Sequence, residues 1–211
     1  MKKLTALLLA GVLTFGCVAC GNTNSGTGNN KPNTESNSQQ EVSKVEIKDA
    51  TELLTKVWDE YNKKASEDLQ LFVGGGNPET MVENNAGKFD SKIEGAMDML
   101  AFTFCASEDT VAKTDDISTL MSMMNSNQLS AAAYHVTNPA DVETVINSIK
   151  DATLGNQWMC GFPETLIIVT VGDNYVVSAY GNGLVIDTLK AAITTVYGDA
   201  AKVSVETAVT E

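Results

Sequence analysis

The clearest pattern of apolar and polar positions lies in residues 137–156, TNPADVETVINSIKDATLGN. Four apolar residues recur there at the spacing of one helix face, Val142, Val145, Ile146 and Ile149. Asn138 can cap this helix, Pro139 suits its first position and Gly155 supplies a stop. A helix is therefore predicted, and the small apolar residues before it, 129–137, predict a strand.

The next segment predicts a hairpin followed by a second helix and a last strand. Two β-branched apolar runs flank residues 172–174, Gly-Asp-Asn, which is a typical hairpin connection. The first run, 166–171, is apolar on both faces and predicts an inner strand. A helix then begins after Asn182 and ends at Gly198, and residues 201–209 alternate as a strand would.

The order strand, helix, hairpin, helix, strand resembles the split βαβ arrangement of ferredoxin-like folds. The predicted fold class is therefore α+β, with an antiparallel sheet and helices on one face. An extra N-terminal amphipathic helix is predicted over 51–65, and a strand that ends in a glycine run over 69–76. Residues 116–125 are predicted as a helix, whereas the pattern of 93–105 fits either type of element.

The N-terminus has the features of an export signal. Two lysines precede a weakly polar run, residues 4–15, which has the length of a signal-peptide core and is too short to span a bilayer. The run ends in GCVACGN, which resembles the lipobox of bacterial lipoproteins, where a small residue precedes the cysteine that is acylated. Cys20 lies between Ala19 and Gly21 and is the predicted acylation site, with Cys17 as the alternative.

Three regions follow from this reading of the chain. Residues 1–20 are the predicted lipoprotein signal peptide, and residues 46–211 are a single globular α+β domain. Residues 21–45 are a predicted disordered linker, because the stretch from 21 to 40 has no aliphatic or aromatic residue whose burial would offset the entropy of ordering. About twenty residues of such a flexible coil span roughly 25 Å.

The charge of the chain excludes one class of partner. The formal net charge is -13, and all 14 basic residues are lysines. Without arginine the chain has no guanidinium group for bidentate phosphate contacts, and its acidity opposes binding to a polyanion. Nucleic acid is therefore excluded as a partner, and the acidity is interpreted as a solvated surface.

The segment QWMCGFPE, residues 157–164, is unusually apolar for a connection between a helix and a strand. The favoured interpretation is structural: Trp158 and Phe162 close one end of the core and Cys160 behaves as a small apolar residue. The alternative is a thiol-dependent hydrolase in which Cys160 is activated by His135, the one histidine of the chain. Apolar neighbours would raise the pKa of such a thiol, which argues against it.

Other combinations of reactive side chains are weaker candidates. Cys105 and Cys160 can form a disulfide in an exported protein, but the sequence does not fix their distance. The soft side chains of Cys105 and five methionines can in principle bind copper(I), although methionine at such spacings usually fills gaps in a core: Met97, Met99, Met121, Met123 and Met124. Paired carboxylates at 108–109 and 115–116 are interpreted as loop and helix-start residues. No metal site and no cofactor are predicted.

The lipobox, the polar linker, the segment 123–151, QWMCGFPE and VGDNYVVSAYGN together resemble a family of small lipoproteins from Firmicutes. That family is catalogued as a domain of unknown function, so the resemblance implies a location and domain limits and no activity. The expected protein is a non-enzymatic module, held by lipid on the extracytoplasmic face of the cell membrane, that binds an envelope protein or a small ligand. Its contact surface is expected to include Tyr134, Tyr175 and Tyr180.

Overall fold

A computed structural model describes residues 46–124, 128–158 and 161–210, which belong to one compact unit. The helices of this described part are α1 (Ala50–Lys64), α2 (Ala96–Phe104), α3 (Glu108–Ala112), α4 (Val142–Leu154) and α5 (Gly183–Tyr197). Its strands are β1 (Val73–Gly75), β2 (Val82–Glu83), β3 (Gly87–Lys88), β4 (Thr114–Ser122), β5 (Leu129–Val136), β6 (Thr165–Val171), β7 (Tyr175–Gly181) and β8 (Ala201–Ala208). None of the helices in these ranges has the length and apolar character needed to cross a membrane.

All strands join one antiparallel sheet in the order β2-β1-β4-β5-β7-β6-β8, and β3 pairs with β4 beside β1. The α+β class that the sequence predicts is confirmed. The predicted strand at 129–137, the helix after it, the hairpin, the second helix and the last strand are all present, and the order is that of the prediction.

The central strands are buried on both faces because helices cover the sheet from both sides. On one side α1 and α5 pack against alternate residues of β6 such as Ile167 and Val169. On the other side α2 and α4 pack against the intervening residues Leu166 and Ile168. The expectation of helices on one face is therefore wrong, although the apolar character of β6 on both faces pointed to this result.

The strand order explains the two-sided arrangement. In a ferredoxin-like sheet the last strand returns to pair with the first strand of the motif, but here β4 occupies that edge of β5. Strand β8 pairs with β6 instead. The crossovers β5-α4-β6 and β7-α5-β8 then run in the same direction across the sheet from strands that are antiparallel to each other. Because such connections are right-handed, their helices must lie on opposite faces.

Helix α1 begins and packs as its sequence predicts. The Asp49 carboxylate accepts a hydrogen bond from the Glu52 backbone N–H at 2.7 Å, which caps the first turn. One stripe of the helix is buried: Ala50, Leu53, Leu54, Val57, Trp58 and Tyr61. The Tyr61 ring stacks on Trp58 with 4.7 Å between centroids, and its hydroxyl donates to the Leu69 carbonyl at 2.7 Å.

The helix predicted over 116–125 is not present in the described residues, since Asp116 to Ser122 belong to strand β4; Asn125 lies outside the described residues. The polar residues that made the pattern look amphipathic are buried within the sheet and find backbone partners there. The Ser118 hydroxyl donates to the Gly87 carbonyl at 2.9 Å, and the Thr119 hydroxyl accepts from the Gly76 N–H at 2.9 Å. These bonds offset the cost of burying hydroxyl groups in a central strand.

The short strands β1 and β3 approach each other closely where both pair with β4. An added Cβ at Gly75 would lie 2.3 Å from the Gly87 nitrogen and 2.4 Å from the Thr119 carbonyl oxygen. Both contacts are with backbone, which cannot move aside as a flexible side chain does. Glycine at this position is therefore required by space.

We expect Gly75→Ala to lower the free energy of unfolding by about 3 kcal/mol, since the backbone must separate to admit the methyl group. The matched control is Gly172→Ala in the β6–β7 turn, where φ is +63° but the space is open. That control should cost about 1 kcal/mol, from backbone conformation alone. Urea denaturation of both variants measures the difference, and equal losses would contradict the crowding of β1 against β3.

Candidate functional site

A polar cavity of about 760 Å³ lies between the segment that follows β3 and the first half of β4. Its lining residues are Asn77, Thr80, Lys88, Phe89, Asp90, Ser91, Lys92, Ile93, Thr114, Asp115, Asp116 and Ile117. We call this cavity the lysine–aspartate groove. Its lysines lie on the wall formed by residues 88–93, and the pair of adjacent aspartates lies on the wall formed by 114–117.

The lysine wall is fixed by a buried asparagine. The Asn77 side chain donates to the Asp90 carbonyl at 3.0 Å and accepts from the Asp90 N–H at 2.7 Å. The Asp90 carboxylate in turn accepts from the Lys92 N–H at 2.9 Å. The Phe89 N–H donates to the Ile117 carbonyl at 2.8 Å, which joins the two walls at their base. The groove therefore has a defined backbone shape.

The aspartate wall contains two carboxylates with different surroundings. Asp116 accepts from the Ala50 N–H at 2.7 Å, and the Lys88 ammonium group lies 3.7 Å from its other oxygen. Asp115 lies where the β4–β5 register shifts, between the pairs that Thr114 and Asp116 form with β5. Such a bulge turns a side chain away from the regular alternation. The Asp115 side chain is consequently more than half exposed.

His135 joins this wall through Asp115. Its Nδ1 lies 2.5 Å from the Asp115 carboxylate, and its Nε2 lies 2.7 Å from the Asn174 side-chain nitrogen. The same Asn174 nitrogen donates to the Val136 carbonyl at 3.2 Å. Because an amide NH₂ group donates and does not accept, Asn174 is also the donor toward Nε2. In this arrangement Nε2 accepts from Asn174 and Nδ1 donates to Asp115. The ring also packs on Tyr175, with 4.8 Å between centroids.

The geometry around His135 bears on the proposed thiol chemistry. An activated cysteine needs a ring nitrogen that is free to take its proton, and here both nitrogens have partners. Cys160 lies outside the described residues, so its pairing with His135 stays a prediction. Asp115 is the partner that the sequence interpretation missed, because it placed 115–116 in a loop or at a helix start. Even a regular strand over 114–122 would pair Asp116 with His135, so the contact of Asp115 depends on the register shift and has no signal in the sequence.

Cys105 is a buried free thiol at the end of α2. It adopts a left-handed conformation with φ of +53°, and the Asn156 side-chain nitrogen lies 3.9 Å from its sulfur. Burial raises the pKa of the Cys105 thiol, so the unreactive protonated form dominates at neutral pH. A disulfide with Cys160, which is not among the described residues, stays a prediction. The side chains of Thr153, Asn156 and Tyr180 interact with the Cys105 thiol.

The described residues of the segment 157–164 close the core only in part. The Trp158 ring packs on Tyr180 with 4.9 Å between centroids and contacts the core on the α4 side of the sheet. Pro163 is buried, but Phe162 is 38% exposed and does not fill the core as expected. Gly161 has φ of +100°, so the turn requires a glycine. Met159 and Cys160 lie outside the described residues.

The three tyrosines expected at a contact surface are buried. Tyr134 has no exposed area, and Tyr175 and Tyr180 each expose 8%. The expectation is wrong because helices cover both faces of the sheet and leave no free face for these side chains. Among the residues that the structure describes, no group of three or more histidine, cysteine, aspartate or glutamate side chains is placed to hold a metal ion.

No family model matches the chain, and no curated protein or solved structure matches it either. The resemblance to small lipoproteins of unknown function therefore stays a prediction. Function has to be argued from the groove and from the other surfaces of this chain.

The buried Tyr134 hydroxyl generates a prediction about stability. Ser178 lies close to it, yet the hydroxyl forms no hydrogen bond of normal geometry. We expect Tyr134→Phe to be neutral or to stabilise by about 1 kcal/mol at pH 7, since it removes an unsatisfied buried group. Tyr61→Phe, which deletes a hydroxyl bonded to a carbonyl, should instead cost about 1 kcal/mol.

The Tyr134→Phe variant also tests the behaviour at high pH. Burial raises the pKa of the Tyr134 hydroxyl, so the folded state holds that proton more tightly than the unfolded chain. The resulting stability is complete below the ordinary tyrosine pKa of about 10 and is lost as the pH rises above it. Tyr134→Phe should reduce this alkaline loss in urea denaturation at pH 7 and pH 11. An unchanged pH dependence would contradict the role of Tyr134.

Proposed function

We propose that this protein is a lipid-anchored, non-enzymatic binding module on the extracytoplasmic face of the cell membrane. The observation that carries the binding role is the lysine–aspartate groove. Its volume of about 760 Å³ falls within the range of roughly 300 to 1,000 Å³ that is typical of sites for small ligands. The anchor rests on the sequence around Cys20, with Cys17 as the alternative.

The separation of charge across the groove indicates the class of ligand. Lys88 and Lys92 offer ammonium groups on one wall, and Asp115 offers a largely exposed carboxylate on the other. The Lys92 ammonium group forms no ion pair with any residue in the described ranges. A small zwitterion, with a carboxylate for Lys92 and an amine for Asp115, matches both walls. Because exposed ion pairs contribute little singly, both contacts are needed for measurable affinity.

The surroundings of His135 support a binding role over catalysis. A general base must hold a free lone pair within reach of the proton that it removes. In the described part of the chain, Nε2 of His135 is directed at the Asn174 amide, and Asp115 holds the other nitrogen. The histidine then acts as a support that keeps Asp115 in place at the groove.

The anchor predicts a change in location. Cys20→Ala should move the full chain from the membrane fraction to the soluble fraction of cells, since acylation supplies the attachment. Cys17→Ala is the matched control and should leave the protein in the membrane fraction. Immunoblots of both fractions and the mass of the N-terminal peptide measure this. Release by Cys17→Ala alone would move the anchor to Cys17, and retention of both single variants and the double variant would exclude a lipid anchor.

The groove predicts selective binding of zwitterions by the full chain in detergent. The probes are the free amino acids, with acetate-type carboxylates and simple primary amines that carry only one of the two charges. We expect at least one amino acid to raise Tm, while the single-charge analogues at equal concentration leave Tm unchanged.

Two substitutions locate this binding. Lys92→Glu reverses the charge that the ligand carboxylate needs and should abolish the rise in Tm. Lys202→Glu makes the same change on β8, which is not part of the groove, and should leave the rise intact. A rise that survives Lys92→Glu would place the ligand elsewhere. Absence of any rise with all amino acids would contradict the proposed ligand class.

A further inference from the structure

Two methionine side chains converge over a glycine at the margin of the sheet. An added Cβ on Gly74, in β1, would lie 2.5 Å from the sulfur of Met81 and 3.2 Å from the sulfur of Met123. The two sulfurs therefore occupy the space that a side chain at position 74 would fill. Metal–sulfur bonds are about 2.3 Å long in protein sites, so the sulfurs need little adjustment to share one ion just outside this position.

A third methionine belongs to the same face of the sheet. Met121 is the direct β4 partner of Gly74, so its side chain leaves the sheet on the side where Met81 and Met123 meet. Its side chain packs in part against the core on that face. Phe72 lies opposite Met123, whose N–H donates to the Phe72 carbonyl at 2.8 Å. An aromatic ring beside a cation adds attraction through its π face.

Packing alone explains this arrangement poorly. Met81 and Met123 are 38% and 42% exposed, and Phe72 is 50% exposed. Methionine commonly fills gaps inside a core, but these two thioethers lie at the surface and stabilise little by burial. They remain accessible to an ion from solution, and the chain's net charge of -13 attracts cations.

We propose that Met81, Met121 and Met123 form a three-thioether site for one soft monovalent cation, with Cu(I) as its biological ligand. Thioether sulfur is uncharged and soft, so it selects Cu(I) over Zn²⁺, Ca²⁺ or Mg²⁺. The absence of a side chain at Gly74 opens the space in which the sulfurs meet. The site shares no lining residue with the lysine–aspartate groove.

The direct test uses the full chain in detergent, labelled with ¹³C on the methionine methyl groups and alkylated at accessible cysteines. Ag(I), added as silver nitrate, is the probe, because it has the softness of Cu(I) and does not change oxidation state. We expect the methyl signals of Met81, Met121 and Met123 to shift together and to saturate at one ion per chain. The signal of Met124, which is 61% exposed, should not move.

Affinity for Cu(I) itself is measured by competition with bicinchoninate under reducing conditions. Met81→Leu and Met123→Leu preserve side-chain volume, and each should weaken binding by roughly tenfold or more, the smallest loss expected when a metal site is disturbed. Met124→Leu is the matched control and should bind as the unaltered chain does. Far-UV circular dichroism verifies that all three variants are folded.

Several results would overturn the site. If the methyl signals shift in order of side-chain exposure, with the Met124 signal shifting at the lowest Ag(I) concentration, the ion contacts surface thioethers nonspecifically. Ions that bind with no methyl shift would be held by thiols such as Cys105. Undiminished affinity in both Met81→Leu and Met123→Leu would exclude the thioethers as ligands.

Discussion

The pairing of β4 with the outer edge of β5 is the constraint on which the rest of the fold depends. Because β4 occupies that edge, β8 cannot pair with β5 and pairs with β6 instead. The second crossover therefore runs in the same direction as the first and its helix lies on the opposite face. A sheet with helices on both faces then needs strands that are apolar on both faces, and β6 and β7 have that composition.

In this arrangement the solvent-accessible side chains of both proposed sites lie at the margin of the sheet. Helices cover the middle strands, so residues such as Tyr134 are buried and have no contact with solvent. Beyond β4 the strands are short: β1 has 3 residues and β2 and β3 have 2 each. The loops between these strands cannot pack as a regular layer. The lysine–aspartate groove and the exposed methionines both lie near these loops, at the edge of β4 that faces away from β5.

The sequence predicted the elements from β5 to β8 because their signals are local: capping residues, helical spacing and a Gly-Asp-Asn turn. It failed at β4, whose buried Ser118 and Thr119 obtain hydrogen bonds from strands more than 30 residues earlier in the chain. The candidate sites failed for the same reason. Asp115 meets His135 through strand register, and Met81 meets Met123 above Gly74, contacts that no local spacing records.

The position of α1 connects the groove to the proposed anchor. The proposed linker ends at residue 45, and the N–H of Ala50 bonds to Asp116 in the groove wall. The groove therefore lies at the end of the domain where the described chain begins. Under the proposed anchoring, this end would lie within a linker length of the membrane. Anionic lipids would repel a chain whose net charge is -13, so the proposed anchor would hold the domain near the surface without adsorption of the domain itself. A groove in this position would stay open to small solutes next to the membrane, where the proposed binding module has to find its ligand.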